Sequence, residues 1–317
     1  MTDPIELFRS AIQASGMSAP ELIHGDGRLH RFSPSGRRSD DAGWYVLHLD
    51  WVPAGTFGNW RAGTQERWCA RSDCDLTTAE RNALRDRIRA AQKLRDQDAE
   101  RRKQTAAERA MLLWAAAISA VGHPYLLQKR VKPMGLRIGP WEKWDPETGE
   151  VETLRNVLYV PMRDTGGKLW SLQGITESGK KLFLPGGRVK ACYHSIGQPS
   201  GRLVIAEGYA TGATVHEATK SAVAVAFNSG NLESVARALR AKFPCLSIVI
   251  AADDDWKTTD VDGVPCNPGL RAAKLAAAAV GGLVAIPDFT GLPRKEHHTD
   301  FNDVACLAGA VKIGGEE

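Results

Sequence analysis

Four short apolar runs, at 202–206, 222–226, 246–251 and 283–286, alternate with stretches of helical length at about 210–219, 231–241 and 269–280. Strands of this kind separated by single helices join one sheet through right-handed crossovers, and such crossovers make the strands parallel. The last third of the chain is therefore expected to be an α/β domain built on a parallel sheet. A final helix is expected over about 302–309.

Two of these runs end in acid. The run 202–206 leads directly into Glu207 and Gly208, and the run 246–252 into Asp253, Asp254 and Asp255. Functional groups of a parallel sheet collect outside the carboxyl ends of its strands, so both sets of carboxylates should reach one edge. There they repel one another unless a divalent cation lies between them. Hard oxygen donors suit Mg²⁺ or Mn²⁺. If the strand continues through the acidic triplet, Asp253 and Asp255 share one face and Asp254 turns away. Asp300 and Asp303, close to the C-terminus, could add a further ligand. Gly208 would let a ligand approach the backbone closely. A single carboxylate in such a place is as readily a strand or helix cap. Acid after two strands of one sheet favours metal binding.

Upstream the pattern changes. Residues 4–15 read as a short helix, and 26–68 as a small antiparallel β unit with turn residues and alternating apolar positions. Trp44, Trp51, Trp60 and Trp68 fall in this unit, interleaved with Arg28, Arg31, Arg37, Arg38, Arg61 and Arg67, with Arg71 just beyond it. Such a mixture suits single-stranded nucleic acid, whose bases stack on aromatic faces. It equally suits a small β core with a solvated rim. A long charged helix is expected from Thr77 or Thr78 to about Ser119, ended by Gly122, His123 and Pro124, and acting as a connector. Strands follow at 154–162 and 169–175, with a turn at 164–167 and a basic, glycine-turned strand over 179–188. Residues 192–196 are expected to lead into the α/β domain.

The net charge of +4 is compatible with a polyanionic partner without requiring one. The six cysteines are scattered and form no disulfide framework, which points to a reducing cytoplasm. Cys69 and Cys74, even with His24, His30 and His48, match no recognised zinc spacing, so zinc is not expected. The first residues lack the pattern of a signal peptide, and no apolar stretch is long enough to span a bilayer. His216, His297 and His298 have no paired nucleophile, which argues against Ser/His or Cys/His hydrolysis.

The segments 203–209, 226–230 and 250–255 resemble the motifs of a Toprim domain, shared by bacterial-type primases, topoisomerases and some nucleases. Asn267 to Ala273 resembles the helix start that follows the acidic pair in primases. Residues 157–169, 181–184 and 123–130 are similar to the basic strand-turn-strand, the lysine-bearing strand and the helical entry of the primase catalytic core. The resemblance covers about 122–310 and is closest in style to the stand-alone primases of phages and mobile plasmids. It implies a Toprim domain at 199–317, a primase-core α+β subdomain at 122–198, a helical connector at 77–121 and a small β-rich N-terminal domain at 1–76, a zinc ribbon that has lost its zinc.

The resemblance also implies roles. Glu207, Asp253 and Asp255 would be catalytic and, with Asp303, would hold Mg²⁺ or Mn²⁺. Arg163, Lys168, Lys180, Lys181 and Arg188 would face the template or the incoming triphosphate. The implied activity is synthesis of short RNA primers on single-stranded DNA from ribonucleoside triphosphates, beside a separate replicative helicase. A Toprim-type nuclease and a non-catalytic single-strand-binding replication accessory are the alternatives. A topoisomerase would need a tyrosine nucleophile in an accompanying domain, and none is apparent.

Overall fold

A computed structural model describes residues 3–37, 40–50, 52–71, 77–144, 149–259 and 264–309. The chain divides into two compact units, 1–101 with 143–152, and 102–142 with 153–317.

The first unit opens with helix α1 (Pro4–Ala14), started by Asp3, whose side chain accepts the Ile5 N–H, and by Pro4 in the first turn. Strands β1 (His30–Phe32), β2 (Gly43–His48), β3 (Ala54–Asn59) and β4 (Thr64–Cys69) form an antiparallel sheet in chain order. Phe8 and Ile12 of α1 are buried with Phe32, Tyr45, Leu47 and Phe57. Gly55 allows this contact, because a Cβ there would stand 2.8 Å from the Phe8 ring. Trp44 is buried, and half-buried Trp68 packs edge-on to Phe8 against the core. Trp60 is exposed with Arg31 above its ring, while Trp51 lies outside the described residues. His24 stacks on His30, and His30 on Tyr45. Cys74 lies outside the described residues, and among those described no group of three His, Cys, Asp or Glu side chains is placed to hold a metal.

Helix α2 (Thr78–Ala116) is the expected long helix, 39 residues without glycine or proline. It stops short of Ser119 because Ile118 and Ser119 form a strand, β5, that pairs with Ile138 and Arg137. His123 does not end α2. It caps the next helix, α3 (Pro124–Lys129): its Nδ1 accepts the Tyr125 N–H and its Nε2–H donates to the Asn156 carbonyl.

The second unit contains two five-stranded sheets. One runs β5, β6 (Arg137–Trp144), β7 (Val151–Arg163), β8 (Leu169–Ile175), β9 (Lys181–Phe183). The expected strand over 179–188 is thus only three residues long, with turns on both sides. The other sheet contains β10 (His194–Ile196), β11 (Arg202–Ala206), β12 (Ala222–Val225), β13 (Ser247–Ala251) and β14 (Leu283–Ala285), in the order β10-β12-β11-β13-β14. β11, β12, β13 and β14 are parallel, as expected from the alternation. β10 is an antiparallel edge strand on β12, so residues 194–196 belong to this sheet and do not merely lead into it. Helices α4 (Tyr209–Thr219), α5 (Leu232–Lys242), α6 (Pro268–Ala278) and α7 (Phe301–Ala308) surround it, with a 3₁₀ turn at Ser229–Asn231.

Strand periodicity sorts the core. Val204, Ala206, Val223, Val225, Val249 and Ala251 point to one face, packing with Tyr209, Ala213 and Phe301 and onward to Leu158, Val160 and Met162 of the first sheet. Leu203, Ile205, Ala224, Ile248 and Ile250 point to the other, against Val235, Leu239, Ala273 and Ala276. Burial on both faces is why these strands read as unbroken apolar runs. Gly212 lets α4 lie close on β12, since a Cβ there would come within 2.9 Å of Val225.

Candidate active site

β11 and β13 are hydrogen-bonded neighbours, with Ala206 opposite Ala251. Their carboxyl ends therefore release Glu207 and the acidic triplet at the same edge. The Glu207 carbonyl accepts the Phe227 N–H at 2.8 Å, and Phe227 holds a left-handed φ of 75°. A non-glycine residue in that region costs about 1–3 kcal/mol, and such strain persists where surrounding structure imposes it. Here the turn brings the Ser229 N–H onto the Glu207 carboxylate. Buried Asn231 fixes the same turn, accepting from the Ala191 N–H and donating to the carbonyls of Cys192 and Ala226.

The acidic triplet does not continue β13, which ends at Ala251. It forms a loop fastened on three sides. The Ala252 N–H donates to Ala285 at the end of β14, and the Asp254 N–H to Thr299 ahead of α7. Asn267, the cap of α6, accepts the Asp255 N–H and donates to the Asp254 carboxylate. Asp255 receives the Gly269 N–H at 2.9 Å from the first turn of α6, where the helix dipole favours an anion. Asp254 also pairs with Arg294 at 2.8 Å. Its carboxylate is thus committed to holding the loop, whereas Asp253 Oδ1 is buried without a hydrogen-bond partner.

Burial is the main force pushing Asp253 up to about 8, and the charges of Asp300, Glu207 and Asp255 add to it, with Lys181 opposing. Burial likewise raises Glu207; Lys181 offsets this and the charges of Asp255 and Asp300 reinforce it. Asp300 is raised by burial and then by Asp303, while the Thr211 hydroxyl donates to it at 2.8 Å. Four carboxylates therefore feel one another: Glu207, Asp253, Asp255 and Asp300.

Asp303 acts on this group through Asp300. It closes a capping box with Asp300 at the start of α7, accepts the Thr299 N–H and pairs with Lys129 at 3.3 Å. The resemblance implied Asp303 as a further ligand; of the two acids, Asp300 is the one whose charge reaches Asp253 and Glu207.

Among the described residues no three such side chains form a ready-made metal cage. Mg²⁺ seldom needs one: it is commonly held by one or two carboxylates, with water and substrate phosphate filling its other positions. An unpartnered buried carboxylate oxygen among mutually repelling acids fits that requirement. Of the four carboxylates, Asp300 lines a cavity of about 240 Å³, together with Tyr125, Lys129, Ser178, Lys181 and Thr211, with Gly208 in its wall. Gly208 is also the N-cap of α4 and offers no capping side chain. A Cβ on it would meet only Lys181 Nζ and Thr211 Oγ1, each at 3.6 Å.

The five basic residues singled out in the sequence separate. Lys181 belongs to the carboxylate group. Lys168 and Arg188 lie over the Trp170 ring at 3.8 and 4.8 Å, and Asp164 accepts the Trp170 indole N–H. Arg163 donates to the Gly167 carbonyl and approaches the Trp114 ring. Lys180 is exposed, on the turn before β9. His216 is structural, bonded to the Ser221 carbonyl at 2.7 Å. Sequence reasoning missed Arg294 and Asn231. Asn267 was visible only as a helix start, and Arg294 carried no signal.

Residues 202–311 match the Toprim domain family model. Two Escherichia coli proteins named DNA primase TraC are 37% and 35% identical to the chain over 299 and 300 residues, covering 90% of it in each case. Those residues are 26% and 20% of the relatives' own lengths, so the chain spans about a quarter or less of them. Solved structures with a partial likeness include the Aquifex aeolicus primase zinc-binding and RNA polymerase domains (TM-score 0.36, 14% identity, 90% of this chain and 79% of that one). Another is the primase fragment of the bacteriophage T7 primase-helicase (TM-score 0.34, 16% identity, 59% and 65%). The chain is thus similar to the Toprim domain family at residues 202–311 and to DNA primase TraC over nine-tenths of its length.

Proposed function

We propose that this chain makes short RNA primers on single-stranded DNA by metal-dependent nucleotidyl transfer, in plasmid or phage replication. The reading rests on four mutually repelling carboxylates next to a lysine-lined cavity. Its similarity to DNA primase TraC supports it.

Glu207, Asp253 and Asp255, with Asp300 beside them, would hold Mg²⁺ or Mn²⁺. Once bound, the metal offsets charge on the transferred phosphoryl group and lowers the pKa of the attacking 3′-hydroxyl. In the reaction that hydroxyl forms a bond to the α-phosphorus of a ribonucleoside triphosphate, the bond to pyrophosphate breaks, and the hydroxyl proton leaves to solvent. Lys181 and the N-terminus of α4 present positive charge to the triphosphate. Asn267 and Gly269 keep Asp255 in place. Arg163, Lys168, Lys180 and Arg188 would neutralise template phosphates, and a replicative helicase would be a partner.

The test is incubation with single-stranded DNA, labelled ribonucleotides and Mg²⁺. Oligoribonucleotides from the wild type and none from Glu207→Gln are expected. DNA hydrolysis without incorporation, or equal product from both proteins, would overturn the reading.

A further inference from the structure

Arg294 lies in the segment between β14 and α7, outside every acidic motif, yet it joins the two stretches of chain that carry Asp253, Asp255 and Asp300. One guanidinium nitrogen pairs with the Asp254 carboxylate at 2.8 Å and another donates to the Asp254 backbone carbonyl at 2.9 Å. Nε donates to the His298 carbonyl at 3.0 Å, two residues before Asp300. The planar group lies over Phe289 at 4.1 Å and Trp256 at 4.7 Å, and only 19% of the side chain is exposed. The Asp254 N–H completes the link by donating to Thr299. A cation this deep beside an acidic site would, by Coulomb's law alone, weaken binding of a second cation. Each of its three nitrogens instead donates to fix backbone or the Asp254 carboxylate.

We propose that Arg294 is a positioning residue for the metal: it locks the Asp253–Asp255 loop to the segment entering α7, so that Asp253 and Asp300 converge. This rests on the metal-binding reading above. The fork is the essential feature, because a lysine carries the same charge but cannot bond the Asp254 carboxylate, the Asp254 carbonyl and His298 together.

The two physical effects of removing Arg294 have opposite signs. Loss of charge tightens binding of a divalent cation, and loss of position weakens it. The experiment is Mn²⁺ titration followed by electron paramagnetic resonance, on wild type, Arg294→Met and Arg294→Lys, without nucleotide or DNA. Circular dichroism and thermal melts fix a temperature at which each variant is folded. Supporting groups behind a metal site typically change affinity by about 10–100-fold. A loss of about tenfold or more in both Arg294→Met and Arg294→Lys is therefore expected. Unchanged or tighter binding in Arg294→Met overturns the proposal, as does full affinity in Arg294→Lys, which would show that the planar fork is dispensable. If the methionine variant does not fold, the lysine variant decides alone. Absence of Mn²⁺ binding to the wild type overturns the metal reading itself, a separate result from a wild type that binds while its variants bind equally well.

Discussion

Asp253→Asn keeps the shape of the side chain and removes its charge, so its effect on stability follows from the surroundings of that carboxyl. Burial, with Asp300, Glu207 and Asp255, raises Asp253 from 3.8 to about 8. A carboxyl raised in the folded state contributes stability that is fully present below its unfolded value and is lost as pH rises through the folded one. Above both values the metal-free protein carries a penalty of about 6 kcal/mol at this one site. Asparagine has no such penalty, but it leaves a buried polar atom without a partner, which costs about 1–3 kcal/mol. A net gain of about 3–5 kcal/mol remains, which in a unit of this size raises Tm by about 6–20 °C. Melts in EDTA at about pH 8.5 and about pH 5 measure it. The variant should be the more stable at the higher pH, and its advantage should fade at the lower one as wild-type Asp253 takes up its proton. Saturating Mg²⁺ at the higher pH should narrow or reverse the order, because only the wild type binds it tightly. A variant less stable than wild type in EDTA at the higher pH would refute the reasoning. So would a gain that persists unchanged at the lower pH.

Asp303→Asn should lower stability by about 1 kcal/mol through the capping box, read by melts. Asn231→Ala removes three hydrogen bonds made by a buried amide and should cost about 3 kcal/mol in chemical denaturation. Lys181→Met should raise KM for ribonucleotides about tenfold or more, since a charge-assisted hydrogen bond is worth about 1.5–3 kcal/mol. Arg188→Ala and Lys168→Ala should each weaken single-stranded DNA binding and lower the salt slope by about 0.7 for every phosphate left without its cation.

Much of this arrangement was legible because the relevant signals are local. Strands buried on both faces must be apolar throughout, so β11 to β14 announced themselves, and the acids at their ends followed. The long helix showed through its unbroken run without glycine or proline. β10 was obscure because three residues, His194, Ser195 and Ile196, become a strand only by pairing with β12. The end of α2 was misplaced for the same reason: Ile118 leaves the helix to pair with Ile138. Asp300 and Asp303 are three residues apart and chemically identical. Only the helix geometry shows that both join one capping box, with Asp303 also pairing with Lys129 and Asp300 meeting Thr211. The tryptophans of the N-terminal unit suggested base stacking, yet Trp44 is buried and Trp68 packs against the core, because an aromatic that fills a core has the same local pattern as one that stacks a base. Arg294 was invisible, since its three acceptors lie on loops that only tertiary structure brings together.

The most direct test of the central claim is anomalous diffraction from a crystal soaked in Mn²⁺ and a ribonucleoside triphosphate. The metal should lie against Glu207, Asp253 or Asp255 on the side facing Asp300, with the triphosphate reaching Lys181 and Asp303 left in its capping box. A peak elsewhere, or none among these carboxylates under saturating Mn²⁺, would contradict the account.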